Sequence, residues 1–239
     1  MGQQPEPQHN AQLKSLLPNL EINYFYAGNN EKLSVIYNTR MEHCFNRGSS
    51  YLTIFDQDSR IGLNFKKIIE SAPPEYLLVP KVYSDVSGKL ISPRYQKYNY
   101  LINKCNIEYL DKSISAGLFK SKFMFAVGSG MTITRQLWST GLRFREELSF
   151  YGVDTEFCHD YSLENEFFHL LDIEVNHSAS NESEENYVKF KWRLSKYFEH
   201  WRFQLVNHLG ISQKIASIYL SAIYLIFRFK NKLKRFLAK

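Results

Sequence analysis

The chain has 239 residues, 44% of them hydrophobic and 23% charged, which is enough for one domain with a sizeable core and an appendage and excludes a wholly disordered protein. Its net charge of +6 is not spread evenly: Arg228, Lys230, Lys232, Lys234, Arg235 and Lys239 place six cations among the last twelve residues, with no acid between them, and the remainder is neutral. That distribution argues against a nucleic-acid binder and for a local basic anchor.

The polar opening MGQQPEPQHN predicts no signal peptide, and residues 1–19 read as a loose lead-in. A strand is expected over 20–27, broken by Gly28-Asn29-Asn30. Leu33, Ile36, Tyr37, Met41 and Cys44 then recur at helical spacing, and Gly48 closes that helix. Residues 51–55 (YLTIF) read as a buried strand and 64–72 as a short helix stopped by Pro73-Pro74. Residues 76–84 form the next strand, with 87–93 as its hairpin partner. Strand and helix alternate here, which predicts an α/β domain over 20–186 with parallel pairing. Residues 94–112 carry no clear pattern. A strand over 118–130 should end in the turn Gly128-Ser129-Gly130, followed by a short helix at 134–141 and an acidic segment at 144–165 that runs from loop into helix. The last strand is expected over 169–179, with a polar loop after it.

From residue 187 the texture turns basic and aromatic. The charge-free run Ile215–Phe227 has thirteen residues, short of the roughly 18 a membrane-spanning helix needs. Amphipathic helices lying on an anionic membrane surface are expected over 187–239. Cys44, Cys105 and Cys158 are scattered, without metal or redox spacing, and read as reduced thiols of a cytosolic protein.

Two aspartates, Asp56 and Asp58, follow the strand at 51–55 directly. In α/β sheets, ligands gather at the carboxyl ends of strands. Two carboxylates with open positions can hold Mg²⁺ or Mn²⁺ against a diphosphate. A plain polar turn has the same sequence. So does an aspartyl-phosphate phosphatase with Asp56 as nucleophile, although Arg60 is unusual there. Further on, Asp154, Glu156 and Asp160 crowd together. Crowding should raise at least one pKa and suit a general base, whereas a solvated acidic helix start needs no function. His177 closes the last strand and is either a ligand or a capped histidine; His159 and His169 stand no better.

The order of these features resembles the family 2 glycosyltransferases, in particular the bacterial rhamnosyltransferase-like members that build surface polysaccharides. TIFDQDS is similar to that subgroup's metal and nucleotide-sugar motif, and GSGMTITRQLWSTGLRFREELSFYGVDTEFC to its acceptor-side segment. The resemblance implies a nucleotide-diphospho-sugar transferase (GT-A) fold with a mixed sheet. It implies that Asp58 holds a Mn²⁺ or Mg²⁺ ion, that Asp56 contacts nucleotide or metal, and that His177 contacts metal or diphosphate. Asp154 is then the general base, and Gly128, Ser129, Gly130 and Glu156 lie on the acceptor side. The implied partners are a nucleotide-sugar donor (dTDP-rhamnose among the candidates) and a lipid-linked saccharide acceptor, at the inner face of the cell membrane. The family opens with a strand, a helix and a second strand that bind the nucleobase. This chain enters near the third strand, so an N-terminally shortened domain is expected, either active or a non-catalytic binding remnant.

Overall fold

The computed structural model describes residues 31–62, 64–177 and 187–237, with side chains to residue 226. The strand expected over 20–27, the lead-in and the polar loop after residue 177 lie outside the described residues.

Helix α1 (Leu33–Asn46) leads into β1 (Tyr51–Thr53) and β2 (Arg60–Ile61), and α2 (Phe65–Ser71) into β3 (Leu78–Ser84) and β4 (Leu90–Ser92). Then come β5 (Arg94–Asn99), β6 (Lys104–Tyr109), β7 (Gly117–Lys120), β8 (Met124–Phe125) and β9 (Thr132–Thr134). Helices α3 (Arg135–Ser139) and α4 (Val153–Glu164) precede the long β10 (Phe167–His177), and α5 (Tyr187–Asn207) and α6 (Gln213–Leu237) close the chain.

The main sheet runs β1-β9-β3-β10-β2, with β4 added to β3 and β7 to β10. Among the described residues, its one parallel pair is β3 with β10. The expected parallel pairing of β1 with β3 does not occur. Strand β9 lies between them, antiparallel to both, because the turn at 128–130 brings it back along β1. The outer edge of β1 has no strand partner among the described residues. The unassigned stretch 94–112 is the β5–β6 hairpin, six residue pairs in continuous register. Its sequence alternation is weak because β6 is largely exposed. The strand expected over 118–130 is split into β7 and β8. Phe123 takes a left-handed φ of 64° and Met124 N–H closes a turn onto the Ser121 carbonyl, so the chain bends there.

Both faces of the sheet are covered. Alternate side chains of the strands point to opposite faces, so Val79 meets Met41, Ile133, Phe157 and Tyr161 on one side. Leu78 and Val82 meet Phe65, Ile69, Leu171 and Val175 on the other. Helices α1 and α4 therefore share one core and α2 the other. A fully buried side chain such as Phe157 or Phe168 contributes about 3–5 kcal/mol on truncation, so the layers hold the carboxyl ends of β1 and β10 firmly.

The C-terminal region divides into two roles. Helix α5 packs onto the α/β body: the Trp201 indole donates to the Tyr100 carbonyl (2.6 Å) and Asn103 Nδ2 to the Tyr197 hydroxyl (2.5 Å). Helix α6 packs mainly on α5, through Ala216 and Leu220 against Trp201 and Leu205.

Candidate active site

The loop after β1 is stitched to the Gly-Ser-Gly turn by backbone. Ile54 N–H donates to the Met131 carbonyl (3.0 Å), and Gly130 N–H donates to the Ile54 carbonyl (2.8 Å). Ser59 and Ser129 share a hydroxyl hydrogen bond of 2.5 Å. Gly130 has φ +84°, and a Cβ there would meet Pro80 Cγ at 2.4 Å and Val175 Cγ2 at 3.2 Å. The site thus needs glycine for both its left-handed backbone and its close packing. Gly130→Ala is expected to cost about 3 kcal/mol, combining left-handed strain and overpacking; denaturant midpoints would measure it.

On this frame the two aspartates meet the end of β10. Asp58 Oδ1 lies 3.1 Å from His177 Nδ1, and Asp56 Oδ2 lies 3.6 Å from His177 Nε2. One ligand atom from each of the three residues falls within 4.8 Å of the others, so they could hold a metal ion. Two hard carboxylate oxygens and one imidazole are a donor set suited to Mn²⁺ or Mg²⁺. Burial raises the pKa of Asp56; His177 opposes the shift, and the neighbouring Asp58 and Asp154 add to it. Excess negative charge therefore gathers at this spot. The half-buried Tyr37 hydroxyl is pushed up as well, by desolvation first and then by Asp56 and Asp154.

Asp154 stands in the first turn of α4, across from this group. Its Oδ2 accepts from Gly128 N–H (3.2 Å) and its Oδ1 from Thr155 N–H (2.8 Å). Two backbone donors thus fix the plane of the carboxylate. Asp154, Asp56, His177, Tyr37 and Gly128 line one cleft of about 750 Å³. Five segments far apart in sequence bring these residues together: α1, the loop after β1, the turn after β8, the start of α4 and the end of β10.

Glu156 does not face this cleft. It is 2% exposed and points beneath it. His200 Nε2 and His208 Nε2 each approach one of its oxygens at 2.7 Å, and Gln204 Nε2 donates at 3.2 Å. Burial favours its neutral form, but the hydrogen bonds and charge of His200 and His208 win and hold its pKa at about 2. Asp160 is likewise held below the usual carboxylate range: burial raises its pKa, but His159 and a two-pronged pair with Arg145 (2.6 and 2.9 Å) outweigh that and lower it. The expectation that crowding would raise a pKa in this cluster therefore fails for Glu156 and Asp160, because Glu156 turns to His200 and His208 and Asp160 to Arg145. Glu156, His159 and His208 also form a group with metal-ligand proximity. Both oxygens of Glu156 are already taken by imidazoles, so the arrangement works as a hydrogen-bonded clamp between α4 and α5.

This clamp yields a prediction with a definite sign. A carboxylate whose folded pKa is depressed adds stability that is complete above its unfolded pKa and is lost as pH falls through the folded value. Glu156 should therefore contribute fully above its ordinary value of 4.5 and lose its contribution between there and about 2. Glu156→Ala is expected to cost about 3 kcal/mol at neutral pH, since two buried imidazoles lose their acceptor. Glu156→Gln should flatten the acid limb of stability, measured by denaturant midpoints across that range.

Of the acceptor-side residues read from sequence, Gly128 lines the cleft, while Ser129 and Gly130 lie buried below it. His169 sits on β10 facing Glu75, away from the cleft-lining groups. The wall opposite the aspartates was not foreseen. It comes from the β5–β6 hairpin (Tyr98, Ile107, Tyr109), from Phe150 and Tyr151, and from α5 (Phe190, Arg193, Tyr197). Arg193 Nε donates to the Tyr151 hydroxyl (2.8 Å). The spacing of Phe190, Leu194, Tyr197 and Trp201, at i, i+4, i+7 and i+11, marks a helix face that packs; that was the available signal.

No model of a known protein family matches the chain, and no curated protein matches it. Solved structures do match. One is the crystal structure of GalNAc-T7 with UDP, GalNAc and Mn²⁺, at 11% identity and a TM-score of 0.52, over 73% of this chain and 35% of that one. The chain thus spans about a third of that protein's length. The likeness shows the fold: a mixed α/β sheet of the GT-A glycosyltransferase type.

Proposed function

We propose that the protein is a glycosyltransferase of the family 2 type that moves a sugar from a nucleotide-sugar donor to the hydroxyl of a lipid-linked saccharide, in the synthesis of a surface polysaccharide. The observation that carries this reading is the meeting of Asp56 and His177 with Asp154 around one cleft, at the carboxyl ends of β1 and β10, with Asp58 beside His177 at 3.1 Å. The GT-A fold supports sugar transfer in general, and GalNAc-T7, which shares it, was solved with UDP, a sugar and Mn²⁺. The motif TIFDQDS supports the narrower family reading, with dTDP-rhamnose as the first donor to test.

In this reading Asp56, Asp58 and His177 hold Mn²⁺ or Mg²⁺. Such an ion neutralises diphosphate charge and eases departure of the nucleoside diphosphate. The protein's own part is then positional and basic. Asp154, its plane fixed by Gly128 and Thr155, takes the proton of the acceptor hydroxyl as that oxygen bonds to the anomeric carbon. The carbon–oxygen bond to the diphosphate breaks on the opposite face, so configuration inverts. Aromatic side chains Tyr98, Tyr109 and Tyr197 present flat apolar faces with polar edges to a saccharide.

The test is transfer of radiolabelled sugar from dTDP-rhamnose, UDP-sugars and GDP-sugars to a membrane lipid extract. Product formed with Mn²⁺ and absent without it supports the reading, and no transfer from any donor refutes it. The phosphatase alternative makes a separate prediction, labelling of Asp56 by phosphate during turnover.

A further inference from the structure

Helix α6 is apolar on two faces, and among the described residues only one of them is packed. Ala216 and Leu220 are buried against α5, and Tyr219 donates its hydroxyl to the Leu101 carbonyl (2.8 Å). On the other side Ile215, Ile218, Leu225 and Ile226 are 61%, 73%, 64% and 54% exposed. Their spacing of i, i+3, i+10 and i+11 places them on one stripe along the helix. An exposed, contiguous apolar stripe on a helix marks an interaction surface. No helix among the described residues is long and apolar enough to cross a membrane.

The charge pattern names the occupant. The sequence beyond Phe227 has six cations and no acid, so the same helix that carries the stripe runs on into an unbroken basic segment. A protein partner would need a matching acidic groove beside an apolar one. A bilayer with anionic headgroups offers both together along any line of its surface. Helices α5 and α6 run antiparallel, since Trp201 meets Tyr219 while Phe198 meets Tyr224. The start of α5, with Val188 and Trp192 exposed, therefore runs toward the basic end of α6. Tryptophan at that level is what a membrane interface favours.

We infer that the outward face of α6 docks on the surface of an anionic lipid bilayer, lying in its plane with the basic end among the headgroups. This surface stands independently of the transferase reading. Because α5 forms both the support of α6 and one wall of the cleft, docking places that wall beside the lipid.

The test is co-sedimentation of the full chain with vesicles of phosphatidylcholine alone and of phosphatidylcholine with phosphatidylglycerol. Binding is expected only to the anionic vesicles and should fall on adding salt. Ile218→Glu with Leu225→Glu, both at exposed positions and so compatible with folding by circular dichroism, should weaken it by about tenfold or more. Equal binding by that double variant would overturn the proposal, since charge alone would then suffice. So would absence of binding to either vesicle, and so would a concentration-dependent dimer in sedimentation velocity that the double variant abolishes.

Discussion

Asp58→Ala is expected to abolish metal-dependent binding of nucleoside diphosphates by the full chain. Isothermal calorimetry with UDP, dTDP and GDP, with and without Mn²⁺, would show it. Asp58 and His177 approach at 3.1 Å, and Asp56 lies on the other ring nitrogen. Removing one of three ligands takes away a full negative charge where a dication and a diphosphate must balance. Loss of a hundredfold or more in affinity is expected, about 2.7 kcal/mol or above. Asp58 is 41% exposed and outside both cores, so stability should change by less than about 0.5 kcal/mol. A loss of binding with an unchanged denaturant midpoint would therefore assign the effect to the site. His177→Ala should follow the same pattern with a smaller loss. Binding unchanged in Asp58→Ala would remove the aspartates from the proposed donor site.

Asp154→Asn should behave differently. The amide keeps the size of the carboxylate, and its single oxygen keeps one of the two N–H bonds, from Gly128 or from Thr155, that the carboxylate accepts on separate oxygens. It can no longer take a proton. Transfer should fall about 10²–10⁴-fold while nucleoside diphosphate binding persists. Single-turnover rates and calorimetry on the same preparation would separate the two effects. A variant that lost binding and transfer together would place Asp154 in donor recognition instead of acid–base chemistry.

The contrast between Asp154 and Glu156 shows how far local sequence carries. Residues two apart on an α-helix point about 200° from one another. If Asp154 faces the cleft, Glu156 faces the interior, and helical spacing alone contains that result. Which of the two faces the cleft is a different matter. It depends on what packs behind α4, and His200, Gln204 and His208 lie some fifty residues downstream. Gly152 records the same contact from the other side: with φ +81°, any Cβ there would strike the His200 ring at 2.2 Å. Nothing near Gly152 in sequence announces that neighbour.

A strand before the aspartates, the Gly-Ser-Gly turn, the start of α4 and the strand closed by His177 were legible from sequence, although the first is shorter than the expected 51–55 and only half-buried over Tyr51–Thr53, with Phe55 exposed. Each rests on short-range physics: alternation along a strand, glycine where the backbone turns left-handed, helical spacing over a few residues. These also sufficed to expect an α/β fold and the two aspartates as candidate ligands. The pairing of strands was not legible, since β9 inserts between β1 and β3 through contacts that local pattern does not encode. Nor was the second wall of the cleft. The basic, aromatic texture after residue 187 is equally compatible with lying on a membrane and with packing on a protein. The body of the domain decides between them for α5, because it offers Glu156 and the Tyr100 carbonyl to His200, His208 and Trp201. Buried hydrogen bonds must find partners wherever the chain provides them, and only the folded arrangement shows where those partners are.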